Sequence, residues 1–432
     1  MITISELVNE INKLPKGDIY PKVINNKTYF YYQFFDNGKR VTRLVKGEEL
    51  NELKDKILYR KTLESKLHEL SNLDKRLVSL SNHAKNLTGQ LMSEDVPIAN
   101  FNNGVMTSCD EKMLPLVVKR TYSLESFLKL RVIDSTRVNS RILKKALNIH
   151  EISETIIPLY TYALSLTDDY WFKPKNSKLK YNDVQFKNDS MFDIALKGDT
   201  SYFPRKTKVT PELTTTGSYE KGWKKIDDEW WLYKQGTDLE IFSEIFCSSF
   251  AKLINIPTVT YEYDNGFIRS KNFASRYNFE PMCSLVANDD RYETVFPVLL
   301  SINKDIARQY IKLMCFDAVV NNVDRHNENY GLLRNRRNGD IISLAPNFDN
   351  NIALISRTGS LIDNPHKDGL IKILADFLQN NSDAYDLYKE ILWPEIAIKD
   401  INDLINVIPI RIDEKDRLAK AIINRYNFIK AI

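Results

Sequence analysis

The stretch Asn321-Asn322-Val323-Asp324-Arg325-His326-Asn327-Glu328-Asn329-Tyr330-Gly331 follows an apolar helical run, Ile311 to Val320. It gathers a carboxylate, a guanidinium, an imidazole and several amides into one short loop. A second acidic site follows in Leu344-Ala345-Pro346-Asn347-Phe348-Asp349-Asn350-Asn351. Between them the pattern predicts a strand (Tyr330 to Leu333), a charged turn (Arg334 to Asp340) and a second strand (Ile341 to Leu344). A hairpin brings its two ends together, so Asp324 and Asn329 are expected to converge with Asp349. Polar loops of this kind often only cap turns. Two of them joined by a hairpin point instead to phosphoryl transfer. That chemistry needs a carboxylate beside the acceptor hydroxyl and hard oxygen ligands for a magnesium ion. Asp324 suits the base or orienting role, and Asn329 and Asp349 suit the metal.

Upstream, Leu213 to Lys225 is rich in small and hydroxyl residues around Gly217, and includes Thr214, Thr215, Thr216 and Ser218. The turn Asp227-Asp228-Glu229 leads into an expected strand, Trp230 to Gln235, carrying Lys234. This is the order in which a kinase covers phosphates with backbone N–H groups and sets an ammonium against them. The loop is neither G-x-G-x-x-G nor a Walker A sequence. A helix is expected from Leu239 to Leu253, with Glu244 in its first half and placed to pair with Lys234. Strands are expected over Thr258 to Tyr263 and Gly266 to Phe273, around Asp264-Asn265-Gly266.

The ordered set of glycine loop, strand lysine, helix glutamate, D-R-H-x-x-N and L-x-P-x-F-D resembles the HipA-like serine/threonine kinases, a bacterial branch related to the phosphatidylinositol 3/4-kinases. The resemblance covers about residues 105–432. It implies an α+β, two-lobed protein-kinase-like fold with a mixed β-sheet N-lobe and a helical C-lobe, using ATP and Mg²⁺. It implies catalytic roles for Asp324, His326, Asn329 and Asp349, with His326 and Arg325 holding the loop. Asn329 and Asp349 are the implied metal ligands. Thr216, Gly217, Ser218, Lys234, Glu244 and Asp349 are the implied nucleotide-binding set. Autophosphorylation of the glycine loop is implied at Thr214, with Thr215, Thr216 and Ser218 as neighbours. A phosphate there adds about −1.5 to −2 charge and repels nucleotide phosphates. The implied partners are a protein carrying a Ser or Thr acceptor and an antitoxin-like protein, as in a toxin–antitoxin pair. A phosphoinositide or other small-molecule kinase is the alternative enzyme. A nucleic-acid-binding regulator with a nucleotide-sensing kinase fold is the alternative outside the enzymes.

The remaining sequence sets the frame. The 432 residues allow two or three domains, with 43% hydrophobic and 27% charged residues. Expected boundaries are 1–92, an N-terminal β-hairpin and leucine-rich helical module; 93–286, the N-lobe with preceding helices; and 287–432, the C-lobe. Residues 1–90 carry 16 Lys+Arg against 11 Asp+Glu, or +5, so the rest of the chain sums to −1 within the net +4. There, Ile2 to Leu14 has helical spacing. Asp18 to Val23, Thr28 to Phe35 and Arg40 to Val45 read as a small sheet with one strongly aromatic strand. Its aromatics are read as core and its bases as the solvated face, in preference to a contact with DNA. Leucines from Leu50 to Leu87 recur near heptad spacing, a seam for packing or for self-association through a 50–90 helix. Ser93 to Gly104 reads as a linker, and Ser123 to Arg131 and Ser135 to Leu147 as helices. Asp168-Asp169 reads as a turn before the strand closed by Pro174. Four scattered cysteines are expected as buried free thiols. No apolar run suggests a membrane span, and a cytoplasmic location is expected.

Overall fold

The structure is a computed structural model that describes residues 10–11, 13–24, 27–36, 39–61, 63, 87–147, 149, 153–201, 209–356 and 364–432. The chain forms two compact units, Met1–Asn86 and Leu87–Ile432.

In the first unit, β1 (Asp18–Ile24), β2 (Lys27–Asp36) and β3 (Lys39–Val45) form an antiparallel meander. A helix, α1, runs over residues 47–61. Strand alternation divides the aromatic run between two faces. Tyr32 is buried with Val45, Leu53 and Ile57, and Phe30, Phe34, Ile19 and Leu50 pack around them. The helix expected over Ile2 to Leu14, and the leucine seam beyond Leu63, lie almost wholly outside the described residues. Leu87 does not continue that seam. It precedes a strand and packs against the core of the second unit.

The second unit opens with β4 (Gly89–Ser93), β5 (Val96–Asn102) and β6 (Val105–Cys109). The expected linker over Ser93 to Gly104 is therefore wrong: Ile98, Ala99 and Phe101 bury one side of β5. These strands join β7 (Tyr170–Pro174) in the order β6-β5-β4-β7. Three short helices, α2 (Leu116–Thr121), α3 (Leu124–Lys129) and α4 (Val138–Ala146), lie between, followed by α5 (Phe192–Lys197). A second sheet has the order β10-β11-β9-β8, from β8 (Lys221–Ile226), β9 (Glu229–Lys234), β10 (Tyr261–Asp264) and β11 (Phe267–Lys271). A third contains β12 (Tyr277–Pro281), β13 (Gly331–Asn335) and β14 (Ile341–Leu344). The fold is thus α+β with antiparallel sheets, where a mixed sheet was expected. Parallel pairing among the described residues is limited to the bridge Thr258/Asn347.

The longer helices are α6 (Asp238–Leu253), α7 (Tyr292–Ile302), α8 (Lys304–Val320), α9 (Gly369–Asn380), α10 (Ser382–Lys389), α11 (Ile398–Val407) and α12 (Lys415–Lys430). Thr237 and Glu240 form a capping box that starts α6. Along α6, Phe242, Phe246 and Phe250 recur every fourth residue and stack at 5.9 Å centroid spacing. Phe250 then meets Phe316 of α8 and Tyr426 of α12. Arg425, fully buried on α12, donates to the Ala318 and Val319 carbonyls and to Asp368. It thereby satisfies carbonyls that the end of α8 leaves open. That end is where the Asn321–Gly331 loop begins. No helix among the described residues is long and apolar enough to cross a membrane.

Candidate active site

Asn321 ends α8 in the left-handed conformation, with φ 54°. Asn322 then holds the turn by accepting from the Asp324 N–H at 3.2 Å and donating to Asp317 at 3.3 Å. Arg325 does most of the assembly. It donates to both carboxylate oxygens of Asp317 at 2.9 Å, and to the Asn329 and Phe348 carbonyls at 2.8 and 2.7 Å. It also reaches the side-chain oxygens of Asn347 and Asn350 at 2.8 and 2.7 Å. One guanidinium thus fastens the Asp324 loop to the Asp349 loop. Burial opposes its charge, but Asp317 overcomes this and holds the Arg325 pKa above its ordinary value.

Within the loop, the Asn329 amide donates to the Asp324 carbonyl at 3.0 Å, which leaves its side-chain oxygen as the free acceptor. His326 accepts from the Glu328 N–H at 3.3 Å, while its carbonyl accepts from Asn329 N–H. Both contacts lie within the loop, and the His326 side chain also lines the cavity.

Lys234, at the end of β9, donates to Glu244 at 3.1 Å and to Asp349. Glu244 is fully buried and accepts from the Asn350 N–H at 2.8 Å. Expected among the nucleotide-binding residues, Glu244 is not on the cavity wall; it stands behind Lys234 and fixes it. Burial pushes the Glu244 pKa up. Burial also opposes ionisation of Asp349, yet Lys234, Lys221 and Arg325 hold its carboxyl well below the usual range. Asp349 takes a left-handed φ of 61°.

The glycine loop is shaped by residues the sequence did not single out. Arg137, 2% exposed, donates to the Thr215, Thr216 and Gly217 carbonyls at 2.6 to 2.8 Å. In a trans peptide the N–H opposes its carbonyl. The N–H groups of Thr216, Gly217 and Ser218 therefore point away from Arg137, and none has an acceptor among the described residues. Successive outward N–H groups of this kind form an anion-binding nest. Gly217 has φ 90°, and a Cβ there would collide with the Lys221 ammonium. Thr214 is 5% exposed, and its hydroxyl donates to the Leu164 carbonyl at 2.7 Å. Thr215 donates to the Pro211 carbonyl at 2.8 Å. Thr216 and Ser218 are exposed.

Lys221, in register with Lys234 on the neighbouring strand, is buried, and its ammonium has no hydrogen-bond partner among the described residues. Burial, with Lys234 and Arg137 nearby, lowers its pKa to about 7. One cavity of about 280 Å³ is lined by Thr214, Gly217, Ser218, Lys221, Lys234, Asp324, His326, Asn329 and Asp349. Its wall also includes three mutually packed rings, Phe273, Phe279 and Phe348. No cluster of three or more His, Cys, Asp or Glu suited to a metal occurs among the described residues. The donor set still fits magnesium, which takes one or two protein oxygens and completes its shell with water and phosphate. Asp349 supplies an ionised carboxylate and Asn329 a free amide oxygen.

Other acidic and thiol groups have structural partners. Asp168 forms a bidentate pair with Arg131 at 3.0 and 2.6 Å, and Asp169 accepts from Ser93 at 3.2 Å. Cys247, Cys283 and Cys315 are buried free thiols, but Cys109 is exposed, contrary to expectation.

No curated protein matches the chain. Among solved structures it is similar to the proinflammatory kinase CtkA of Helicobacter pylori, at 18% identity and a TM-score of 0.39. That likeness covers 49% of this chain and 93% of CtkA. It is also similar to HipA of Shewanella oneidensis MR-1, solved with HipB and operator DNA, at 13% identity and a TM-score of 0.48. That one covers 80% of this chain and 96% of HipA. The HipA-like C-terminal domain matches residues 205–423, a span that holds the glycine loop, Lys234, Asp324 and Asp349. The chain belongs to the HipA-like C-terminal domain family.

Proposed function

We propose that this protein is an ATP- and Mg²⁺-dependent serine/threonine protein kinase, acting as the toxin of a toxin–antitoxin pair. The observation that carries the reading is the shared cavity. It holds a nest of N–H groups, two lysines, an ionised carboxylate and a loop aspartate on one wall system. The Phe273, Phe279 and Phe348 rings offer an apolar surface for a purine. Lys221, Lys234 and the Thr216–Ser218 N–H groups bind the phosphates. When bound, Mg²⁺ neutralises charge developing on the phosphates, held by Asn329 and Asp349. Asp324 orients the acceptor hydroxyl and takes its proton as the new P–O bond forms. The bond from the γ-phosphorus to the β–γ bridging oxygen breaks, and ADP leaves. Arg325 positions both loops but touches no reacting atom.

Regulation by autophosphorylation at Thr214 belongs to the same reading. Its hydroxyl is tied to Leu164 in the loop-in state, so modification requires the loop to leave its seat. An antitoxin-like protein is the expected inhibitor of the pair.

The test is transfer from γ-labelled ATP to protein substrates in a cell extract. Asp324→Asn and Asp349→Asn should each lose about 100-fold or more of the transfer while melting like wild type. Undiminished transfer in both variants would refute the assignment. Phosphopeptide mapping over 210–225 after incubation with ATP should find Thr214 modified; no phosphopeptide there would sink the regulatory part.

A further inference from the structure

The sheet of the first unit has two unlike faces. Phe30, Tyr32, Phe34 and Val45 face α1. Cross-strand register places Lys22 beside Tyr29, Tyr20 beside Tyr31, Tyr31 beside Leu44 and Gln33 beside Thr42 on the other face. Lys27 and Arg40 share that face by the same alternation. We propose that this outward face of β1-β2-β3 binds duplex DNA by lying in the major groove.

Three observations support the choice of occupant. First, the face is cationic and unsatisfied. Lys22 and Lys27 are exposed and have no acidic partner among the described residues. Some cations elsewhere in the unit are engaged: Arg43 meets Glu49 at 2.5 Å, and Lys61 holds Asp18, at the edge of this face, at 2.8 Å, whereas Lys16 and Lys46 are exposed without an ion-pair partner among the described residues. Second, charge and chemistry are ordered along the strands. Lys22 and Lys27 sit at one end and Arg40 at the other, about 27 Å away along β2 at strand rise. Between them lie Tyr20 and Tyr31, stacked at 6.0 Å, together with Tyr29, Gln33 and Thr42. Arg40 donates to Gln33 at 2.8 Å, which orients both. Cations at the flanks suit phosphates, and an amide, a hydroxyl and rings at the centre suit base edges. Third, three strands at their usual spacing span about 10 Å, and the B-form major groove is about 12 Å wide. The first unit's basic balance agrees with a polyanion. The inference stands apart from the kinase reading, since it uses no residue of the second unit.

The test uses the full chain and fluorescence anisotropy with a labelled mixed-sequence duplex of about 24 base pairs, compared with its single strand, across a salt series. Duplex binding should weaken with salt along a log–log slope of about −3, from three phosphate-contacting cations. Lys22→Glu combined with Lys27→Glu should weaken binding at least about tenfold. Arg40→Gln should weaken it less. The charge-matched pair Lys372→Glu and Lys420→Glu, exposed on the second unit, should leave it unchanged. Circular dichroism checks that each variant is folded. Absence of duplex binding at low salt, tighter binding of the single strand, or equal loss in the control pair would each overturn the proposal.

Discussion

Two arginines each hold one side of the cavity, and they do it in different ways. Arg325 has a carboxylate of its own. Asp317 meets it in a buried bidentate pair, and the guanidinium then reaches carbonyls and side-chain oxygens of both the Asp324 and Asp349 loops. Its pKa is held above the ordinary value. Arg137 has no ion-pair partner within 4 Å among the described residues. It holds the glycine loop through three carbonyls alone, and burial lowers its pKa to about 10. The lower side of the cavity is therefore fixed to the core of α6, α8 and α12. The upper loop is held by three bonds to carbonyls, and Arg137 balances the nearby Glu220 and Glu212 only at longer range, without an ion-pair contact. The loop movement proposed to accompany phosphorylation of Thr214 would break these three bonds.

Arg325→Met should give the largest effect. It strands Asp317 as a buried charge, at a cost of about 3–5 kcal/mol. A denaturant melt should show that fall, together with loss of phosphate transfer. Arg137→Met should lower the melt less than Arg325→Met does, because it breaks no ion pair and its carbonyl partners are partly exposed. It should raise the KM for ATP about tenfold by releasing the N–H nest. Equal destabilisation by the two variants would remove the distinction.

Gly217→Ala should come next. It forces an L side chain into φ 90° and against Lys221. A several-fold rise in KM for ATP with an unchanged melt is expected in steady-state assays.

The smallest effect concerns pH. Free Lys221 titrates at about 7. Phosphate anions beside it raise its pKa, so nucleotide binding takes up a proton. Affinity should be full below pH 7 and weaken progressively as pH rises above it. Lys221→Met should bind more weakly and lack this dependence, as nucleotide titrations at several pH values would show.

The sequence made the lower half of the site legible because its chemistry is local. Asp324, Arg325 and Asn329 occupy one loop, and Asp349 follows a short hairpin. Lys234 and Glu244 were legible as a pair because a strand end and the next helix have few ways to meet. The missed residues act over long separations on groups that every residue carries. Arg137 binds backbone carbonyls some 80 residues away, which leave no side-chain signal to read. Lys221 became notable only when β8 paired with β9 and set it beside Lys234. The β4–β5 hairpin looked like a linker because Ser93 to Gly104 is rich in Asn, Pro and acidic residues. Its apolar positions find their packing partners in Phe127 and in β7, remote in sequence. The two-faced aromatic strand β2 was half readable. Alternation predicts two faces, but only the position of α1 shows which tyrosines remain outside.

The most direct test of the shared phosphate site is equilibrium binding of ATP, with and without Mg²⁺, to wild type, Lys234→Met and Asp349→Asn. Wild type should bind more tightly with Mg²⁺ present. Lys234→Met should bind at least about tenfold more weakly in either condition, and Asp349→Asn should lose the Mg²⁺ enhancement while still binding. Wild-type affinity and full Mg²⁺ enhancement in both variants would contradict the account.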